Sequence, residues 1–374
     1  MSAATDIAAA FDRAEPLSVG VEEELMLLRP GDRALVPEAD RVLELLGGDP
    51  RFKQELPASQ IESLTTPCGD IGELAEQLSS ARRDLAAKVG GVVELAAAGV
   101  HPLAPPAGEL NSAPRYDAAA EYYGPAVLQR QLVCALQVHV APGSAESALA
   151  VYNALRSYLP VIAAIAANAP FYDGRDTGCA SIRPHISSLL PRQGVPPALA
   201  DWEEFAAGLA WGKAGGAMPD AGSWWWELRP HVKFGTLELR VPDAQTTVAD
   251  AAAIAAFVQS LVGWLSERHA RGETLPVHPS WRIAENRWLA ARDGVEARLL
   301  DLDTGHRRPL REDAGRLLAE LHPVAEGLGC ADRFGAIEAL VQRNGAIRQR
   351  EVAAERGLEG LVRWLSEEFL AASP

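Results

Sequence analysis

Residues 18–28 read SVGVEEELMLL, and three adjacent carboxylates, Glu22, Glu23 and Glu24, interrupt a run that otherwise has the composition of a buried strand. Burying an unpaired carboxylate costs several kcal/mol or more. A chain carrying this segment must therefore fold so that the charges are compensated, and a divalent cation is the most compact compensation. Successive strand residues point to opposite faces, so Glu22 and Glu24 share one face while Glu23 lies with Val21 and Leu25 on the other. That division predicts two carboxylates aimed at metal and a third, Glu23, that needs a separate basic partner or a bulge. The competing reading is a charged edge strand whose glutamates are solvated.

Further along, Val19 to Leu28 predicts the first strand, QELPASQIESLTTP a second, and IGELAEQLSSARRDLAAKV a helix by its apolar spacing. VVELAAAGVHP predicts a strand ending at His101, and Leu136 to Val140 another, followed by a helix capped by Ser144. Pro160 interrupts the helical stretch after Val151, since proline lacks the backbone donor. WWWELRPHVKFGTLELRVPDAQ divides near Phe234 and Gly235 into a hairpin, and a mostly helical part follows from about residue 248. Strands interspersed with long helices, without βαβ repeats or a glycine-rich phosphate fingerprint, predict an α+β fold with an antiparallel sheet over a single catalytic domain, 1–374.

Three more segments carry chemistry. Glu62 sits among Ile61, Leu64 and two threonines, with Glu55 in the preceding turn. In LQVHV, Gln137 and His139 share a face and supply a carbonyl oxygen and a ring nitrogen, although a satisfied structural histidine is the alternative. In GTLELRV, Leu237, Leu239 and Val241 form an apolar face and Glu238 with Arg240 a polar one, which by itself also fits an exposed charge pattern. Together, hard oxygen ligands on several strands suit magnesium or manganese with nucleotide phosphates completing the coordination. Arg183, Arg229 and Arg240 supply charge stabilisation for phosphate and carboxylate oxygens. No GxxxxGK[ST] loop is present, so a nucleotide site here depends on metals, basic side chains and loop amides.

The formal charge of −15 disfavours nucleic acid and anionic membrane as partners. No N-terminal signal pattern and no uninterrupted membrane-spanning segment stands out, which makes the cytoplasm the expected location. Cys68, Cys134, Cys179 and Cys330 are scattered without CxxC spacing and read as reduced packing residues. In Trp224–Trp226, alternate members are expected in the core, with the middle one facing a cavity. The terminal arginines Arg348 and Arg350 are expected to be solvated rather than at the substrate.

SVGVEEEL, ESLTTP, QVHV, NALRSYLPVIAAIAANAPFYDGRDTGCASIR, WELRPHVKFGTLELRVPDAQ and NGAIRQR, in this order, resemble the bacterial carboxylate-amine ligases related to glutamate-cysteine ligase, the glutamate-cysteine ligase type 2 group. The resemblance runs from about Ser18 to Arg350. It implies a glutamine-synthetase-like catalytic fold, in which a curved antiparallel sheet with helices packed on one face walls an open funnel-shaped site. It implies ATP-dependent phosphorylation of the γ-carboxylate of glutamate and attack by an amine on the acyl phosphate. Small-molecule substrates and a homo-oligomer are family-level expectations. By motif position, Glu22, Glu24, Glu55, Glu62, His139 and Glu238 look like metal ligands and Gln137, Arg229 and Arg240 like nucleotide-binding residues. Arg240, Glu238 and Arg183 look like the catalytic set, and the loop Asp173 to Arg183 like a closing element.

One position departs from the pattern. Relatives commonly carry His, apolar, His where this chain has Gln137, Val138, His139, so a role needing positive charge at the first position is lost. Two other readings stay open: phosphoryl transfer to a guanidino-type nitrogen, and a nonenzymatic or regulatory descendant that keeps the metal and nucleotide cup. The amine acceptor is not legible in the sequence.

Overall fold

The computed structural model describes residues 2–216 and 221–371. Strand β1 is Val19–Leu28, the span that the alternating run predicts. It is followed by β2 (Phe52–Gln54), β3 (Gln60–Leu64), β4 (Glu94–Ala96) and β5 (Leu136–Val140). Phe171–Tyr172 and Arg175–Asp176 form a short ribbon, β6 and β7. The predicted hairpin is β8 (Leu228–His231) and β9 (Thr236–Leu239), and a last ribbon pairs β10 (Arg298–Leu300) with β11 (Arg307–Pro309). The main sheet has the order β2-β3-β1-β5-β9-β8, with β4 also paired to β1. Its pairings are antiparallel throughout.

Alternation decides which face is covered. Val19 and Val21 of β1, Leu136, Val138 and Val140 of β5, and Leu237 and Leu239 of β9 all enter one large core with the helices Ala145–Leu155 and Val248–Ala270. The helix Ile71–Val89 adds Ile71, Leu74 and Leu78 to the same core, and Asp70 caps its first turn by accepting from the Glu73 amide at 2.9 Å. Glu23 lies on this covered face and is fully buried, yet the strand has no bulge there: Arg82, from Ile71–Val89, supplies the basic partner.

Three expectations change. Ala145–Ile165 and Val248–Ala270 are long and apolar enough to cross a bilayer by length and composition alone. The most apolar windows of these stretches are 72% and 89% buried inside the protein, the setting in which a helix that is apolar all round is a core helix. The strand expected to reach His101 stops at Ala96, because Gly99 turns to donate to the Asn168 carbonyl and accept from the Cys134 amide. His101 is buried beyond that point, its ring 2.9 Å from the Arg33 carbonyl. Third, Arg348 and Arg350 are paired, Arg348 with Asp250 at 2.6 Å and Arg350 with Asp176 and the Cys179 carbonyl, each at 2.8 Å.

Pro160 stands in the first turn of the helix Leu159–Ile165, separated from Ala145–Leu155 by one turn of 3-10 helix, where its missing donor costs nothing. None of the four cysteines is in a disulfide, and Cys68, Cys134 and Cys330 are buried.

Candidate active site

The face of β1 opposite the helical core carries Glu22 and Glu24. Register sets Glu24 across from Glu62 of β3, Glu22 across from Gln137 of β5, and His139 across from Glu238 of β9. Arg229 of β8 completes that last row opposite Glu238. The expected ligand residues thus fall into two neighbouring sets. Glu24, Glu55 and Glu62 form one, and Glu22, His139 and Glu238 the other, each with ligand atoms within 4.8 Å of one another.

The first set is all carboxylate, and its proton affinities register the crowding. Burial, followed by the Glu55 charge, pushes the Glu24 carboxyl from the ordinary 4.5 to about 7, against the opposing pull of Arg240. Burial is also the main force raising Glu55, offset by Arg115 and Arg240. Glu62 is raised well above the carboxylate range by burial and then by Glu22, Glu55 and Glu24. Among the described residues Glu24 accepts two side-chain hydrogen bonds, from the Ala135 amide at 2.6 Å and from Gln137 Nε2 at 3.0 Å. Three crowded acids, Glu24 buried and Glu55 and Glu62 half-buried, with so little positive charge among them fit a site for a hard divalent cation.

The second set is mixed. His139 Nδ1 lies 3.0 Å from Thr236 Oγ1, while Nε2 is buried, has no hydrogen-bond partner among the described residues and lies 3.6 Å from Glu22 Oε1. Burial lowers the proton affinity of the ring, which keeps it neutral. A neutral imidazole fixed through one nitrogen, with the other buried, unbonded and beside the Glu22 carboxylate, is an arrangement that could hold a metal ion. Thr236 was not among the expected site residues. Its position two residues before Glu238 on the same strand face was the available signal.

Glu238 is fully buried, so its pattern with Arg240 is not a solvated charge array. Burial opposes its ionisation, but the guanidinium groups of Arg229 and Arg240 outweigh that and hold the carboxyl well below the usual range. Arg229 Nε and Arg240 Nη1 each donate to it at 2.5 Å. Arg240 Nη1 also donates to Gln137 Oε1. Gln137 therefore connects the two sets, taking a hydrogen bond from Arg240 and giving one to Glu24. Expected as a nucleotide contact, it has both ends of its amide engaged within the protein.

Arg183 is placed differently from a group aimed at reacting atoms. Its Nε donates to Asp243 at 2.7 Å, and Nη2 to the carbonyls of Arg240, Val241 and Pro242. It holds the chain leaving β9, and hence Arg240, in place. The loop Asp173 to Arg183 is likewise strapped down: Arg350 binds Asp176 and the Cys179 carbonyl, and Ser181 joins Arg183 on Asp243. Trp224 is buried against Phe205, Trp226 packs on the same core, and Trp225 turns to Tyr123 and Arg192. Arg115, also outside the sequence assignment, donates to the Gln54 carbonyl at 2.7 Å beside the Glu55 set.

A family model described as glutamate-cysteine ligase family 2 matches residues 18–367. The chain belongs to glutamate-cysteine ligase family 2. A family member from Rubrobacter xylanophilus, named "Putative glutamate--cysteine ligase 2-3", is 38% identical over 96% of this chain and 98% of its own length. One from Thermobifida fusca, named "Putative glutamate--cysteine ligase 2", is 35% identical over 97% of this chain and 94% of its own. Membership places the chain among ligases that form C–N bonds. The crystal structure of a glutamate-cysteine ligase from Francisella tularensis in complex with AMP shares the fold, with a TM-score of 0.67 at 12% identity over 95% of this chain and 89% of that one. A bifunctional glutathione synthetase from Pasteurella multocida gives 0.68 at 14% identity over 98% of this chain and 53% of that one.

Proposed function

We propose that this member of the family is an ATP-dependent ligase that activates the γ-carboxylate of glutamate as an acyl phosphate and couples it to an amine. The observation that carries the reading is the pair of adjoining ligand sets, Glu24, Glu55 and Glu62 beside Glu22, His139 and Glu238, joined through Gln137 and Arg240. Each set suits magnesium, or manganese, and the cations when bound supply the positive charge that lets ATP and an anionic amino acid share one acidic site. The AMP bound by the Francisella tularensis ligase supports a nucleotide as one substrate.

The chain's own residues then have distinct tasks. Arg240 is partly exposed, with its charge secured by Glu238, and stabilises the negative charge on the phosphoryl group in transfer. Arg229 fixes the second oxygen of Glu238, so that the carboxylate is held between two guanidinium groups without rotating. Arg183 is a positioning residue: by gripping the carbonyls of residues 240–242 it sets where Arg240 stands. In the reaction the γ-phosphoryl group passes from ATP to a carboxylate oxygen, releasing ADP. The amine nitrogen then bonds to the acyl carbon as phosphate leaves, and the activated acid must meanwhile be kept from water. The expected setting is the cytoplasm, where ATP and free amino acids are available.

Untargeted mass spectrometry of a mixture containing ATP, magnesium, glutamate and pooled amines tests the reading. An amide product formed together with ADP and phosphate supports it. ADP appearing with a phosphorylated nitrogen compound, or no turnover across a broad panel of amino acids and amines, refutes it.

A further inference from the structure

We propose that Phe234, backed by His231, is the wall on which the nucleobase of ATP stacks, an inference that rests on the ATP-dependent reading above. The face of the β8–β9 hairpin that carries Arg229 and Glu238 continues outward, two residues on, to His231 opposite Thr236. Phe234, in the turn, folds back over that row. Its ring centroid is 4.3 Å from that of His231 with an interplanar angle of 18°. Both rings meet His139 edge-on, His231 at 5.2 Å and Phe234 at 5.8 Å. One continuous surface thus leads from a charged cation site to a stacked aromatic pair.

The pair is held rigidly but left open. The Gly235 amide donates to the His231 carbonyl at 2.9 Å, and Gly235, with φ +67°, lies so close to the helix Ala3–Arg13 that a Cβ there would sit 2.2 Å from the Ala10 carbonyl oxygen. Phe234 nevertheless stays 46% exposed. Its other ring contact, the Lys233 ammonium 5.4 Å from the centroid, comes from an exposed side chain that an entering base can displace or share. A nucleotide whose phosphates meet cations at Glu22, His139 and Glu238 has its base further along the same wall. A flat π-face on a fixed turn is what a purine requires, and stacking makes no demand on base edges.

The test is titration calorimetry with magnesium and either ADP or tripolyphosphate, which has the phosphates and no base. For Phe234→Ala the expected result is an ADP affinity lower by roughly tenfold or more, an unchanged tripolyphosphate affinity, and recovery of ADP binding in Phe234→Trp. Unchanged ADP affinity in Phe234→Ala, or equal weakening of both ligands, overturns the inference, because the ring would then serve only the hairpin or the cation site. Wild-type protein that binds tripolyphosphate and ADP equally well also overturns it while leaving the ligase reading intact. Wild-type protein that binds neither overturns both.

Discussion

Arg82 clasps Glu23 on the face of β1 opposite Glu22 and Glu24, donating from Nε at 3.0 Å and from Nη2 to the other carboxylate oxygen. Both side chains are essentially excluded from solvent. The same guanidinium donates to the carbonyls of Gln245, Thr246 and Phe369, so one cation ties β1 to the chain after β9 and to the C-terminal segment. The three consecutive glutamates therefore divide into two that face the site and one that anchors the sheet behind it.

Removing the cation alone strands the Glu23 charge. Arg82→Met is expected to lower unfolding free energy by about 3–5 kcal/mol, and Glu23→Leu combined with Arg82→Met to recover much of it. Denaturant unfolding measures both. A single variant within about 1 kcal/mol of wild type contradicts the anchoring role.

Glu238→Gln removes a charge that two arginines and a cation site share, and is expected to lower kcat/KM roughly 100-fold or more. Glu227→Gln is expected to leave the activity of folded molecules nearly intact. Glu227 is not an innocent surface residue, however: it is buried with Arg287, which reaches it at 2.7 Å, so its variant is expected to lose stability instead. Steady-state kinetics normalised to the folded fraction distinguishes the two, and equal kinetic losses would refute the site assignment.

Proton affinity gives a sign that can be checked. Glu24 holds its proton to about 7 instead of the ordinary 4.5, and Glu55 and Glu62 are raised as well. An acid with a raised value in the folded state favours folding below its unfolded value, and that contribution is lost as pH climbs through the folded value. Metal-free protein should therefore lose this stabilisation between about pH 4.5 and 7, as far as Glu24 sets the window. Magnesium replaces the protons, so the rise in Tm on adding it should grow across the same interval. Thermal melts with magnesium or EDTA decide it, and an increment that is flat or shrinking with pH contradicts the cation site.

Gln137 bridges Glu24 and Arg240 without titrating. A histidine there can donate to one and accept from the other only while neutral, and its protonated ring would face the Arg240 guanidinium. Gln137→His should therefore introduce an acidic limb into the pH profile of kcat near the histidine value of about 6.5. A profile superimposable on wild type would show that the bridge does not matter to turnover.

Much of the site was legible because strand alternation is a strict rule. It separated Glu22 and Glu24 from Glu23, paired Gln137 with His139, and put Glu238 with Arg240. It also required of Glu23 either a basic partner or a bulge, and the structure supplies the partner. Alternation could not name that partner, because Arg82 lies on a helix far along the chain and looks there like one more basic residue in RRD. The surroundings of Arg183, a residue read as catalytic, were hidden for a similar reason. Its partner Asp243 and the carbonyls of residues 240–242 come together only in three dimensions, and an arginine beside a glycine-rich loop looks the same in sequence whether it binds phosphate or backbone. No spanning segment was expected, yet Val248–Ala270 is long and apolar enough for one, since burial in a core and immersion in a bilayer select the same residues.

The central claim is that ATP activates the carboxylate of glutamate through an acyl phosphate. Glutamate labelled with 18O in its γ-carboxylate, supplied with ATP, magnesium and the amine that supports product formation, follows that oxygen directly. The account predicts that the label appears in the inorganic phosphate released with the amide, because the phosphoryl group leaves with a carboxylate oxygen. Phosphate released without label while the amide accumulates would contradict it.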